Sequence, residues 1–345
     1  MRILSILRPD DWHVHLRDNE ALKHTVSATA AHFARALVMP NLTPALTTLA
    51  SILAYRKRIL SSLDKSNSFE PYMTFYLNET VDPNDLINAK QYSYILGAKL
   101  YPAGATTNSA QGVTSIRALY PHFEMMQMHD LVLQIHGEVT HGDIFAREAL
   151  FIKTHLASIV RDFPRLRIVL EHISTQTAVE FVSQASPYVA ATITPQHLLF
   201  NRNELLAGGL KPHYYCLPIL KREKDQLSLQ RAAVSGNSKF FAGTDSAPHA
   251  QSQKENACGC AGVYSAPYAL AMYTEIFDKL DQLPKLEAFT SRFGAEFYQL
   301  PAQSNHIELI KQAQVIPMSL PVGDFQVVPL AAGSTLTWSI HAPIE

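Results

Sequence analysis

In Asp11-Trp12-His13-Val14-His15-Leu16-Arg17, residue types and spacing point directly to chemistry. In extended conformation side chains alternate faces, so His13 and His15 would share one side and Val14 the other. Two neutral imidazoles at one strand end make half of a metal site. Arg17 would follow on the same side, where a guanidinium can hold an anionic group. Short His-x-His pairs also arise by chance in a chain with 15 histidines, so the meaning of this pair depends on what joins it.

Further polar residues stand at the ends of apolar runs. Asn41 ends Val38-Met39-Pro40-Asn41, and Lys99 lies within Gly97-Ala98-Lys99-Leu100-Tyr101. His136 lies in Gln134-Ile135-His136-Gly137-Glu138 and His172 in Leu170-Glu171-His172-Ile173-Ser174. Asp245 lies in Ala242-Gly243-Thr244-Asp245-Ser246-Ala247-Pro248-His249. If the runs are parallel barrel strands, these groups meet at the C-terminal strand ends, where such barrels carry their sites. Each alone has an ordinary reading: a histidine bonded to backbone, a lysine reaching solvent, an aspartate capping a turn. Their joint placement makes coincidence the weaker account. Burial can strip the proton from Lys99, and the neutral amine can add carbon dioxide to give a carbamate able to bridge two metals. The competing reading is an electrostatic or Schiff-base lysine. On residue type alone, His197 and His213 compete as ligands.

The elements that must position these residues alternate along the chain. Strands are expected at 2–7 leading to His13, then at 35–39, 71–77, 98–101, 131–136, 167–172, 189–193 and 239–243. Amphipathic segments at 21–33, 47–63, 115–128, 143–163, 174–185 and 223–235 lie between them. Asp82-Pro83 reads as an N-cap followed by proline, and Ser174 or Thr175 would cap the helix after strand six. The pattern predicts a (β/α)8 TIM barrel with a short C-terminal extension, one domain over 1–345. The barrel would run to about 282; a helix at 285–297 and a tail with a short strand at 335–340 would form an appendage. A doubly wound sheet is disfavoured because no glycine-rich phosphate loop follows a strand.

Composition excludes several classes. The 345 residues carry a formal net charge of −1, giving no electrostatic reason to expect a nucleic acid or anionic membrane partner. Arg56-Lys57-Arg58 and Lys221-Arg222 read as solvated faces. The 3 cysteines, Cys216, Cys258 and Cys260, are no disulfide framework and suit a reducing compartment. Cys258-Gly259-Cys260 lacks a second ligand pair and reads as structural or incidental. No signal peptide or membrane span is evident, so a cytoplasmic protein is expected.

The spaced motifs, with Met39-Pro40-Asn41 and Lys99-Leu100-Tyr101-Pro102 among them, resemble the amidohydrolase superfamily. They are most similar to its dihydroorotases of the short, single-domain bacterial type. The likeness runs in order from about residue 5 to residue 270, and no motif position departs from the pattern. It implies two Zn²⁺ ions, with His13, His15 and Asp245 on one, His136 and His172 on the other, and carboxylated Lys99 and a hydroxide bridging them. The hydroxide would be the nucleophile and Asp245 the general acid/base in the reversible cyclisation of N-carbamoyl-L-aspartate to L-dihydroorotate, a step of pyrimidine synthesis. Arg17, Asn41 and His249 would hold the substrate carboxylate, and backbone at Leu217 and Ala261 would contact the ring. Residues 103–108 would form a lid closing with Thr106 and Thr107. The likeness moves His197 and His213 to structural roles and leads to a homodimer. His24, His32, His122, His129, His141, His155, His306 and His341 read as surface. Rival readings are a hydantoinase- or allantoinase-like enzyme and a non-catalytic assembly barrel. The first usually needs a β-sandwich begun ahead of strand one, where only 12 residues stand before His13. The second predicts missing ligands.

Overall fold

The computed structural model describes residues 2–257 and 259–341, so Cys258 lies outside the described residues. Runs of apolar residues buried on both faces form parallel strands, because helices cover the outside and side chains fill the inside. After β1 (Ile3–Leu7) come β2 (Asp10–Val14), β3 (Arg35–Val38), β4 (Glu70–Leu77) and β5 (Ile95–Leu100). They are followed by β6 (Val132–Ile135), β7 (Ile168–Leu170), β8 (Val189–Ile193), β9 (Phe240–Ala242) and β10 (His306–Ile310). Strands β2 to β9 form one parallel sheet of 8 in sequence order. It closes through a bridge between Val14 and Ser246 and through hydrogen bonds from Asp245 N–H to His13 O (2.8 Å) and His15 N–H to Ser246 O (3.0 Å). The closure that makes the barrel therefore brings His13, His15 and Asp245 together.

Helices between the strands start where local chemistry dictates. Asp82 accepts from Asn84 N–H ahead of Pro83, and Thr175, not Ser174, caps the helix Gln176–Gln184. The expected barrel is present, with two corrections at its ends.

The first concerns strand one. Residues 3–7 do not belong to the barrel; β1 pairs antiparallel with β10, which also pairs with Ser339–Ile340. The first barrel strand begins at Asp10. A register shift between Asp11 and Val14 also breaks simple alternation. Such a bulge lets neighbouring side chains reach the same side. Trp12 thus packs with Leu37, Val169 and Phe241 of the interior, while adjacent His13 reaches Glu171 and Asp245.

The second concerns the segment after Leu283, which is built into the barrel rather than appended. Its helical turns Ala288–Arg292 and Phe293–Phe297 bring Tyr298 under the barrel, where it stacks on Trp12 with ring centroids 4.6 Å apart. Gly294 permits the approach, since a Cβ there would lie 2.0 Å from Trp12 Nε1. Above this apolar floor is a polar rung: Thr74 donates to Gln134 (2.8 Å), and Thr192 donates to Glu171 (2.5 Å). The floor and rung hold the strand ends above them in place.

Candidate metal centre and active site

At the C-terminal strand ends a partly open pocket is walled by His13, His15, Arg17, Asn41, Tyr101, Thr106, Thr107, His136, His172, Leu217, Asp245, Ala247, Ala261 and Gly262. Of the expected site residues, Lys99 and His249 are not in the wall. Lys99 lies fully buried behind it, 5.2 Å from the Tyr101 ring, and His249 stands behind Arg17.

His15 Nδ1 meets Asn41 Oδ1 at 2.7 Å, and the Asn41 amide N–H₂ donates to Thr107 O (3.3 Å). The asparagine oxygen must therefore face the imidazole, which assigns the His15 proton to Nδ1 and leaves a lone pair on Nε2. That lone pair faces Asp245 Oδ1 at 3.1 Å. His13 Nδ1 lies 2.9 Å from Glu171 Oε2, without the alignment of a full hydrogen bond, and its Nε2 lies 3.4 Å from Asp245 Oδ1. Burial holds both imidazoles below the ordinary histidine range, so they are neutral at pH 7. His13, His15 and Asp245 offer ligand atoms within 4.8 Å of one another. Acceptors facing each other in a dry site repel unless a cation lies among them, and this set suits a metal ion.

A second set lies alongside. His136 Nε2 contacts Glu138 Oε2 (3.2 Å), which turns His136 Nδ1 toward His172 Nε2 at 3.3 Å. His172 Nδ1 and Lys99 Nζ are buried with no hydrogen-bond partner. Burial pushes the Lys99 ammonium down to about 8, against the fields of Glu171 and Asp245, which favour its charge. A sizeable fraction of neutral amine near pH 8 is what carbamate formation needs. These orphaned groups leave a second buried set of nitrogens open beside the first.

The residues expected to hold an anion stand beside this set. Arg17 adopts φ 60° and donates to Pro248 O (2.9 Å), with a second nitrogen 3.0 Å from His249 Nε2. These are neutral partners, so the positive charge remains available to an anionic ligand. His249 Nε2 also lies 3.1 Å from Ala261 O; a single ring nitrogen serves only one of these contacts in either tautomer. Burial and the nearby Arg17 press its pKa down to about 2, so the ring is neutral. The expected lid lies over the cavity: Thr107 Oγ1 donates to Ala261 O (3.0 Å) and Asn108 donates to Asn41 O (3.1 Å).

Both rings of the competing pair are engaged elsewhere. His197 bonds Thr194 Oγ1 (2.8 Å) and Pro218 O (2.9 Å), and His213 pairs with Glu255 (2.7 Å). Two surface readings are corrected. His122 is buried and contacts Val81 O at 2.9 Å. Lys221 is buried beside Glu138 at 3.5 Å, because it neutralises a carboxylate that has no access to water. Sequence reasoning also missed the orienting roles of Glu171 and Glu138. The available signal was a carboxylate next to, or two residues from, a candidate ligand histidine on a strand end.

Residues 10–337 match the model of the amidohydrolase family, and the chain belongs to that family. Within it, the chain groups with the dihydroorotases. It is 54% identical to the dihydroorotase of Nitrosococcus oceani over 339 residues, covering 98% of each chain. It is also 54% identical to that of Coxiella burnetii over 344 residues, covering 99% of each. Among solved structures, Campylobacter jejuni dihydroorotase superposes with TM-score 0.91 at 36% identity, covering 99% of this chain and 98% of that one. The Saccharomyces cerevisiae dihydroorotase in complex with 5-fluoroorotic acid gives 0.90 at 34%, covering 99% of each. The L-hydantoinase of Arthrobacter aurescens shares the fold alone, with TM-score 0.79 at 16% identity over 98% of this chain and 83% of that one.

Proposed function

We propose that the protein closes N-carbamoyl-L-aspartate to L-dihydroorotate and reopens the ring, as a cytoplasmic homodimeric enzyme of pyrimidine synthesis using two zinc ions per chain. The observation that carries this reading is one cavity where His13, His15 and Asp245 turn acceptor atoms inward beside a buried, unpartnered Lys99. His13, His15 and Asp245 would hold one ion, His136 and His172 the other, and N6-carboxylated Lys99 would be shared. Zinc bound there would supply hydroxide near neutral pH and polarise the ring carbonyl.

The protein's own groups do the rest. Asp245 Oδ1, between the two imidazoles, accepts the nucleophile's proton and returns it to the leaving amide nitrogen. Reversal of those transfers serves cyclisation. Arg17 holds the free carboxylate, with Asn41 and His249 beside it, and its rigid fork suits two parallel bonds. Backbone at Leu217 and Ala261 meets the ring, while Thr106 and Thr107 close over it and exclude water. Full-length similarity to dihydroorotases supports the substrate, as does Arg17, which a ring lacking a carboxylate would leave unused.

Native mass spectrometry, combined with hydrolysis assays on dihydroorotate, hydantoin and allantoin, tests this reading. The expected result is a dimer with close to two zinc per chain, a carbon dioxide adduct that Lys99→Ala removes, and preference for dihydroorotate. Full activity without metal would sink the centre; preference for hydantoin or allantoin would sink the substrate.

A further inference from the structure

Lys254 ends the short helix Gln251–Lys254, yet is only 3% exposed. Its ammonium donates to the carbonyls of Tyr215 (3.0 Å), Cys260 (2.9 Å) and Gly262 (2.6 Å). An ammonium has three N–H donors and no acceptor, so the backbone of two loops saturates this side chain. Burial moves its pKa down to about 8, which leaves it charged at neutral pH.

The two loops carry one wall of the cavity. Leu217 stands on the first and Ala261 on the second. Along an extended backbone, successive carbonyls point to opposite sides. With the carbonyls of Cys260 and Gly262 both drawn to Lys254, the Ala261 carbonyl between them is directed elsewhere. It accepts from Thr107 Oγ1 of the covering loop (3.0 Å) and lies 3.1 Å from His249 Nε2. The loops are also tied to each other: Gly262 N–H donates to Tyr215 O (3.0 Å), the same carbonyl that Lys254 holds. The second loop has little slack, since Gly262 adopts φ 143° and a Cβ there would stand 2.7 Å from Ala247 O.

We propose that Lys254 is a positioning residue: its ammonium fixes the Leu217 and Ala261 edge on which both the substrate and the covering loop 103–108 dock. The substrate half rests on the reaction assigned above. The covering-loop half can be read in substrate-free protein, so failure of one is separable from failure of the other.

The test compares Lys254→Met, Thr107→Val and the double variant. Lys254→Met is expected to raise KM for dihydroorotate about tenfold, the worth of one or two hydrogen bonds, with kcat changed far less. Zinc content should stay at the wild-type value, and amide exchange across 103–108 should quicken in the absence of substrate. Thr107→Val should loosen the same loop. The double variant should add little to either single change, because both act through the Ala261 carbonyl. Lys254→Gln, which keeps donors without charge, should recover part of the KM loss, and it carries the same cycle if Lys254→Met does not fold. Unchanged KM and exchange, full additivity, or loss of zinc in step with activity would each overturn the proposal. Faster exchange in the variants with no dihydroorotate turnover by the wild type would uphold the clamp and reject the reaction.

Discussion

At the floor of the barrel, Trp12 stacks on Tyr298, and Asp10 and Arg35 close a two-bond ion pair at 2.8 and 2.5 Å whose third guanidinium nitrogen reaches Pro301 O (2.9 Å). At the mouth, Lys99 Nζ, both His13 ring nitrogens and His172 Nδ1 are equally buried and have no hydrogen-bond partner. Both regions sit on the same strands, so strand geometry does not explain the difference. Leaving a buried polar group unpaired costs about 1–3 kcal/mol, more if charged, and several such groups concentrated at one end is a destabilised arrangement. The floor offsets that cost with apolar burial and completed polar contacts. The lesson is a division of labour within each strand: its N-terminal half stabilises, while its C-terminal half keeps valences open for ligands.

Three substitutions would break or sharpen this contrast. The largest effect belongs to Asp245→Asn, which keeps the shape of the mouth but removes its proton acceptor. Turnover should fall by roughly 10²–10⁴, while the urea midpoint of the metal-free protein holds, since the isosteric amide keeps the packing of the site. A variant that unfolds instead would place Asp245 on the stabilising side of the contrast. Trp12→Ala should do the reverse. Truncating a fully buried tryptophan costs about 3–5 kcal/mol, read by denaturant unfolding, with kcat of the folded protein kept within a few-fold at low temperature. Loss of activity in folded Trp12→Ala would show that the floor and mouth are not separable.

The smallest effect is expected from Glu171→Gln. Burial lifts this carboxyl to about 7, and it lies 2.9 Å from His13 Nδ1. Replacement leaves an acceptor for the imidazole but removes the negative charge that strengthens it as a ligand. Zinc affinity should fall by about 10–100-fold, measured by competition with a chelator, while thermal stability holds. Unchanged affinity would assign Glu171 to the rung with Thr192 rather than to the mouth.

The barrel was legible because seven of its strands are apolar runs bounded by turn chemistry, which is local information. The mouth was legible because its polar residues fall where those runs end. What escaped depends on partners far along the chain. The run 3–7 reads as a strand, but only the pairing of Ile3 with Ile310 decides that it lies outside the barrel. The bulge at Asp11 to Val14 has no composition signal, so alternation alone could not place Trp12 in the interior beside His13. Lys221 looked like a solvated charge beside Arg222 because nothing nearby in sequence announces Glu138. Asn41 was expected to serve the ligand, and the structure adds bonds to His15 and Thr107 that make it a link between the metal set and the covering loop.

The pairing of β1 with β10 also sets a timetable for synthesis. Ile3 leaves the ribosome about 300 residues ahead of its partner Ile310. At translation rates of about 5–20 residues per second, that edge waits roughly 15–60 s for its partner. An unpaired edge is an invitation to aggregate, and short length and nearby charge blunt it. Here the waiting strand is five residues long, its first residue Ile3 is 51% exposed even when paired, and Arg2 and Arg8 flank it. All eight strands that carry the site leave the ribosome before the partner of β1 does.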